Sequence, residues 1–248
     1  MVQPAQAIIL AAGRGNRMRP LTDRVPKPLL GVQGKPLLQW HADALADAGV
    51  TGLVVNTAWL GEQIAAYFGE APRSSSGRPL TLAVSAEGED FGYALETAGG
   101  ISRALPLLDE VFWVVAGDVF APGFAFTPAV RADFAAGERL AHLWLVPNPA
   151  HNPRGDFGLS ADGLALNGGD SRFTYSTIGL FRRALFEPPW FDTPPGNPQG
   201  RAEPLAPLLR RAMDAGRVSA ELYHGPWTDV GTPERLAELN APAAPTGG

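Results

Sequence analysis

Four charged side chains stand at positions suited to handling phosphate: Arg17 and Lys27 near the start, Asp118 near the middle and Asp229 near the end. The two cations follow a short apolar run, Ala7–Leu10, that ends in Ala11-Ala12-Gly13 and a loop carrying Gly15. A strand opening into small residues exposes backbone N–H groups, which can surround an anion. Arg17 offers phosphate oxygens a bidentate fork, and Lys27, held between Pro26 and Pro28, offers a point charge. This is the chemistry of a nucleoside triphosphate site. Asp118 ends the apolar run Val111-Phe-Trp-Val-Val-Ala-Gly, and Asp229 precedes a Gly turn whose Thr232-Pro233 suits the start of a helix. A Mg²⁺ ion takes one or two carboxylates together with substrate phosphates and waters, so two aspartates from distant strands suffice.

Two familiar glycine loops do not fit. A dinucleotide fingerprint needs a third glycine where Met18 stands, and no Gly-Lys-Ser/Thr follows Gly13 or Gly15 as a P-loop requires. What Leu10–Leu29 does resemble, almost without a gap, is the signature of the sugar-1-phosphate nucleotidylyltransferases: Leu-Ala-Ala-Gly-x-Gly-x-Arg-Met-x-Pro-Leu-Thr, then Pro-Lys-Pro-Leu. Residue 16 is Asn where Thr or Glu is common in that family.

The resemblance implies a Rossmann-like, doubly wound, mixed but mostly parallel sheet of the GT-A-like nucleotidyltransferase kind, with a small antiparallel extension. It implies Mg²⁺-dependent transfer of a nucleoside monophosphate from the triphosphate to a sugar 1-phosphate, releasing pyrophosphate. Arg17 and Lys27 would be the catalytic cations, on the β- and γ-phosphates and between the α-phosphate and the incoming sugar phosphate. Asp118 and Asp229 match the family's Gly-Asp and Asp-x-Gly-Thr metal positions. The nucleotide is expected at Leu10, Ala11, Ala12, Gly13, Gly15, Asn56, Glu87, Gly88, Thr97 and Gly99, the last two within the base and ribose candidate run Glu96–Gly100, where small residues let backbone approach the base and ribose. The glutamine many members carry before the base-binding Gly-rich segment is not plain here.

The usual Glu-Lys-Pro sugar segment is absent too. Asn148-Pro…Arg154-Gly-Asp-Phe157, Asn56-x-x-Trp59-Leu60-Gly and the compact length resemble instead a subgroup, the N-acetylmuramate 1-phosphate uridylyltransferases of cell-wall recycling. The sugar would then face Asn148, Gly155 and Asp156, with Ser176 beside them. Other nucleotide and sugar pairs are the near alternatives: GTP with mannose or heptose 1-phosphate, or UTP or dTTP with glucose 1-phosphate. A nucleotide-sugar sensor without chemistry is the alternative of another class, disfavoured because a pure binder has no need of all four charged residues. A sugar phosphate is already an anion near neutral pH, its second pKa being about 6, so no general base is required. The four histidines (His41, His142, His151, His224) therefore read as structural or surface residues, His151 alone lying near the sugar loop.

The elements that must position these residues follow from the pattern of apolar runs. Ala7–Leu10, Gly52–Asn56, Leu80–Val84, Val111–Ala116 and Ala141–Val146 read as buried strands; Pro36–Ala48, Leu60–Phe68 and Glu96–Leu108 read as helices between them. In such sheets ligands bind beyond the carboxyl ends of the strands, where the Ala11–Arg19 loop and Asp118 fall. Later, Phe157–Leu159, Leu164–Leu166 and Arg172–Phe181 read as shorter antiparallel strands, Pro204–Ala215 as a helix and Val218–Tyr223 as a strand. The 248 residues suit one domain over 1–240, a nucleotide part to about 120 and a sugar part to about 240, with 241–248 as a tail. Pro188–Gly200, with five prolines, reads as a surface loop. A net charge of −5 argues against a nucleic-acid partner, and no apolar run is long enough to cross a membrane. The absence of cysteine, of a membrane segment and of a signal peptide leads to the expectation of a cytoplasmic protein, and the acidic charge without an appended domain to that of a monomer acting on small substrates.

Overall fold

A computed structural model describes residues 5–169 and 171–242. The chain opens with β1 (Ala5–Leu10), a loop of three single 3-10 turns, and the small hairpin β2 (Gly31–Val32) and β3 (Lys35–Pro36). It continues through α1 (Leu37–Asp47), β4 (Gly52–Thr57), α2 (Gly61–Phe68), β5 (Thr81–Ala86), α3 (Glu87–Phe91), α4 (Glu96–Ala104) and β6 (Leu108–Ala116). There follow β7 (Val119–Phe120), α5 (Pro128–Ala136), β8 (Ala141–Val146), β9 (Phe157–Leu159), β10 (Ala165–Leu166) and β11 (Arg172–Arg182). The last elements are α6 (Leu205–Asp214), β12 (Val218–Leu222), β13 (Thr228–Asp229) and α7 (Pro233–Asn240).

Nine strands form the main sheet, in the order β10-β9-β11-β6-β1-β4-β5, with β8 also on β11 and β12 on β8. The pairs β6–β1, β1–β4 and β4–β5 are parallel, as expected for strands joined through helices. The long β11 runs antiparallel to β6, β8 and β9, which makes the antiparallel extension, and β12 returns parallel to β8. Alternation of side chains splits the core in two. Ile8, Phe112 and Val114 face α4 and α6; Ala7, Ile9, Trp113 and Val115 face α1 and α2. With both faces covered, the sheet is doubly wound, and the fold class read from the sequence holds.

The boundaries differ most from the sequence reading between α4 and β6. The helix expected to run to Leu108 ends at Ala104, because Pro106 cannot continue the α-helical ladder; a 3-10 turn follows and Leu108 already belongs to β6. In addition, α3 and α5 were not marked by the apolar periodicity: α3 is a single short turn-rich helix, and α5 buries only Phe134. Of the expected tail, 243–248 lies outside the described residues.

A third, smaller apolar cluster fixes the loop after β1. Met18, Leu30, Val32 and Leu37 pack with Phe120 of β7 and Val230, all buried. Beside it, buried His41 on α1 donates from Nε2 to the carbonyl of Val119, 2.7 Å away. Burial holds this imidazole neutral, its pKa lowered from 6.5 to about 4, although the Val119 carbonyl and the Asp118 charge pull the other way. A group that takes up a proton only when unfolded contributes fully above about pH 6.5 and loses that contribution as pH falls toward 4. Between pH 7.5 and 5 this amounts to about 2 kcal/mol. Urea denaturation of the parent and of His41→Gln at both pH values should show the variant losing less stability by about that amount; equal losses would mean that the imidazole is not held neutral.

Candidate functional site

Beyond the carboxyl ends of β1, β4 and β6 lies a cavity of about 650 Å³. Leu10, Ala11, Ala12, Gly13, Arg14 and Lys27 form one wall, with Asn56 and Thr97 beside them. Asp118 stands at the end of β6, and Phe157, Tyr175, Thr177 and the start of α6 (Pro204–Ala206, Leu209) close the other side.

The loop after β1 owes its shape to a few bonds. Gly15 has φ +69°, and a Cβ there would stand 2.9 Å from the Thr22 methyl, so glycine is required twice over. The Thr22 hydroxyl donates to the Gly15 carbonyl at 2.8 Å, and Trp59 Nε1 donates to the Thr22 carbonyl at 2.9 Å. Arg14 stacks 3.5 Å over the Trp59 ring and donates to the Thr22 carbonyl and to Asp23. Arg19 also binds Asp23, and the hydrogen bonds from Arg19 and Arg14 hold that carboxyl below its usual range. Two of the loop's four arginines are thereby tied to one acid. Arg17 makes no hydrogen bond or ion pair among the described residues and is exposed, while Met18 beside it is fully buried. Gly13, by contrast with Gly15, has no atom within 4 Å of where a Cβ would stand: its backbone faces open space.

One buried chain of hydrogen bonds fixes the loop's first amide. Ala11 N–H donates to Asn56 Oδ1 at 2.7 Å, Asn56 Nδ2 donates to Glu87 Oε1 at 2.6 Å, and Leu95 N–H donates to Glu87 Oε2 at 2.7 Å. Burial raises the pKa of Glu87, against the pull of the Leu95 and Asn56 bonds and of Arg103. A Cβ on Gly100 would lie 2.5 Å from Glu87 Oε1, so only glycine lets α4 approach this pair. Glu87 thus stands behind the cavity wall. So do Gly88 and Gly99, whose missing Cβ atoms make room for the carbonyls of Ala58 and Arg201.

The carboxylates meet through backbone. Asp229 on β13 pairs with Val119 on β7, and Val230 N–H donates to the Asp118 carbonyl at 2.8 Å. Lys27, buried along its stem, places Nζ 2.5 Å from Asp118 Oδ2. Arg235 of α7 donates from Nη1 to Asp229 Oδ2 at 2.5 Å. Asp229 Oδ1 is buried with no hydrogen bond; His151 Nε2 is 2.8 Å away but not aligned to make one. A Cβ on Gly231 would stand 3.4 Å from Arg17 Nη2 and 3.0 Å from Asp229 Oδ2, so Arg17 and Asp229 flank the same glycine. Among the described residues no three His, Cys, Asp or Glu side chains gather as a complete metal cage. An orphaned buried carboxylate oxygen beside a second carboxylate is nevertheless the hard oxygen donor set that a divalent cation shared with phosphates needs.

The four residues expected at the sugar form a network one layer back from the wall. Asn148 donates to the Arg172 carbonyl at 2.9 Å and accepts from Thr174. Asp156 accepts from Tyr175 N–H at 2.8 Å and from Asn152. Gly155, at φ +61°, has no room for a Cβ against Arg172, Phe173 and Asn148. Ser176 is fully buried and donates to the Trp144 carbonyl at 2.6 Å. What they support is a bulge in β11 between Tyr175 and Gly179, where Thr177 adopts φ +61° and joins the cavity wall. Tyr175, Thr177, the α6 start and Arg235 were not named from the sequence. Thr232-Pro233-Glu-Arg235 carries a signal for Arg235, one turn into a capped helix; α6 reads only as a helix that covers the core.

Residues 6–163 match the family model described as nucleotidyl transferase. The chain is 46% identical over 241 residues to the N-acetylmuramate alpha-1-phosphate uridylyltransferase of Neisseria meningitidis serogroup B, covering 95% of this chain and 97% of that one. It is 31% identical to the protein of the same name from Caulobacter vibrioides, over 97% and 96% of the two chains. A solved Bacillus anthracis structure assigned as a glucose-1-phosphate thymidylyltransferase superposes with a TM-score of 0.72 at 19% identity, covering 95% of this chain and 93% of the other, which speaks to the fold.

Asn56→Ala removes the bridge between Ala11 and Glu87 and leaves buried polar groups unpaired. We expect a loss of about 2 kcal/mol of unfolding free energy, measured by urea denaturation; a loss under about 0.5 kcal/mol would mean that water replaces the amide.

Proposed function

Because this chain belongs to the nucleotidyl transferase family, we propose that it joins UTP to N-acetylmuramate 1-phosphate, giving UDP-N-acetylmuramate and pyrophosphate. The observation that carries the chemistry is the convergence of four charged residues: Lys27 and Asp118 line the cavity, Asp229 is joined to Asp118 through paired backbone, and Arg17 flanks Gly231 with Asp229. The choice of sugar and base is supported by the likeness to the Neisseria protein along nearly the whole chain.

In the reaction an oxygen of the sugar phosphate attacks the α-phosphorus in line. The bond from that phosphorus to the β-bridging oxygen breaks, and its electron pair leaves with pyrophosphate. No proton has to move, because the nucleophile is already an anion. Charge builds on the α-phosphoryl oxygens and on the leaving group, so fixed cations and N–H groups at those places lower the barrier. Lys27 is placed for the α-phosphate and the incoming phosphate; its buried stem gives the ammonium Asp118 or a phosphate as partners. Arg17, without a partner among the described residues, is available to the β- and γ-phosphates. The open backbone at Gly13 borders the same space. Asp118 and Asp229 would hold Mg²⁺, which when bound neutralises phosphate charge. Arg235 keeps Asp229 aimed, and His151 lies against its other oxygen. No helix among the described residues is long and apolar enough to cross a membrane; we place the reaction in the cytosol, with a monomer, serving peptidoglycan recycling.

Three triphosphates (UTP, GTP, dTTP) offered with N-acetylmuramate, glucose and mannose 1-phosphates, with pyrophosphate as the readout, test the substrate. The first of each should turn over at least about tenfold faster than any other pair; a faster competitor overturns the choice. Asp118→Asn and Asp229→Asn should each lower kcat by about 10²-fold or more while melting within a few degrees of the parent. Retained Mg²⁺-dependent turnover in either variant removes that residue from the metal role. Lys27→Ala should lose about 10²-fold in kcat, and Lys27→Arg should not restore it, since a planar fork cannot replace a buried point charge.

A further inference from the structure

Glu96 opens α4 with φ +59°, a conformation that costs a side-chain-bearing residue and that glycine adopts freely. Five described residues other than glycine have positive φ, and two of them, Glu96 and Thr177, line the cavity. The conformation at Glu96 is imposed from both sides. Leu95 is pinned through its N–H to buried Glu87 and through its carbonyl to Glu203 N–H at 3.0 Å. Immediately after, Ala98 and Gly99 N–H groups donate to the Glu203 carbonyl at 2.9 and 3.0 Å. The chain must reverse between these anchors, and glycine would do so without strain. Instead the position carries an exposed carboxylate with no hydrogen bond or ion pair among the described residues.

A free carboxylate on the wall of a site for polyanions needs a reason. It stands with Asn56 and Thr97 on the flank built from the end of β4 and the start of α4, whereas the cations Lys27 and Arg17 gather near Asp118 and Asp229. An ionised carboxylate only accepts hydrogen bonds, so its ligand must donate. Uracil offers one N–H flanked by two carbonyl oxygens, which a carboxylate would repel. N-acetylmuramate has its 3-oxygen in an ether, so it has no adjacent pair of ring hydroxyls, and its own carboxylate would be repelled as well. The ribose of a nucleotide offers two neighbouring hydroxyls, matched to the two oxygens of a carboxylate. We propose that Glu96 holds the ribose 2′- and 3′-hydroxyls and makes the enzyme select ribonucleotides over 2′-deoxyribonucleotides. This rests on the uridylyl-transfer reading only for the identity of the two substrates.

Binding of UTP and of 2′-deoxy-UTP to the full chain, measured by titration calorimetry without sugar phosphate, tests it with the parent, Glu96→Gln and Glu96→Gly. The parent should bind UTP about tenfold more tightly than the deoxy analogue, and both variants should bind the two within about twofold. Glu96→Gly should melt no lower than the parent, because it relieves the backbone. A parent without preference, variants that keep the preference, or variants whose affinity, in a separate titration with N-acetylmuramate 1-phosphate, falls for that sugar phosphate and not for UTP overturns the assignment. So does a variant that melts well below the parent and loses both nucleotides equally. If the parent discriminates through Glu96 yet turns over no N-acetylmuramate 1-phosphate, the substrate reading falls and the ribose contact stands. If UDP-N-acetylmuramate forms but discrimination ignores residue 96, the reverse holds.

Discussion

Two aspartates far apart in the chain, Asp118 just before β7 and Asp229 in β13, are brought together by one two-stranded ribbon, and most of the site follows from keeping them there. Like charges brought together near a protein surface repel. The fold meets this cost with cations of fixed position: Lys27 on Asp118 and Arg235 on Asp229. Each cation is set by its own local device. Lys27 sits in a single 3-10 turn between Pro26 and Pro28, and Arg235 lies one turn beyond the Thr232 cap of α7. The ribbon itself is braced from behind, by the buried His41 bond to the Val119 carbonyl and by the Met18, Phe120 and Val230 contacts. Arg17 is thereby delivered to the same place without a partner of its own, because the residue after it is a buried anchor.

That anchor shows what could and could not be read from residue order. The loop after β1, Lys27 and both aspartates were legible because each combines a distinctive residue with a fixed spacing to a turn former, and local geometry does most of the placing. In the sequence Met18 marks the break of a dinucleotide fingerprint and one position of the family signature; its work is to bury itself beneath the ribbon, which needs Phe120 and Val230 to be known neighbours. Arg14 has the same composition signal as Arg17 but is spent on Trp59, Thr22 and Asp23. The difference is tertiary, since it depends on Trp59 arriving from beyond β4. The sheet was legible for a different reason: strands buried on both faces leave continuous apolar runs that survive without knowledge of partners. The end of α4 was not, because apolar spacing carries on past Pro106 while the backbone cannot.

The sugar side illustrates the limit of motif reasoning more sharply. Asn148, Gly155 and Asp156, with Ser176 beside them, are expected at the sugar from the resemblance of their loop to a subgroup of the family. In the fold their polar atoms are engaged with Arg172, Tyr175, Thr174, Asn152 and Trp144. They hold β9 and β11 in the shape that raises Thr177 out of the sheet at a bulge. Residues one layer back leave a pattern because several partners must be satisfied at once. Wall residues such as Leu209 and Tyr175 leave little, because an apolar face looks the same whether it meets core or ligand.

The same distinction separates the glycines. Gly15, Gly88, Gly99, Gly100 and Gly155 are each forced by the protein's own atoms, whether through a positive φ, a blocked Cβ or both. Gly13 is forced by none of these: its φ is ordinary and the space before it is open. A glycine that nothing inside the fold demands, at the mouth of a cavity lined by Lys27 and Asp118, points outward for its reason, to a ligand that must touch backbone. Glu96 is the counterpart of opposite sign, a residue with a side chain where the fold asks for glycine. Both positions depart from what folding alone would choose, in opposite directions, and both line the same cavity. Such local conflicts mark where stability yields to binding.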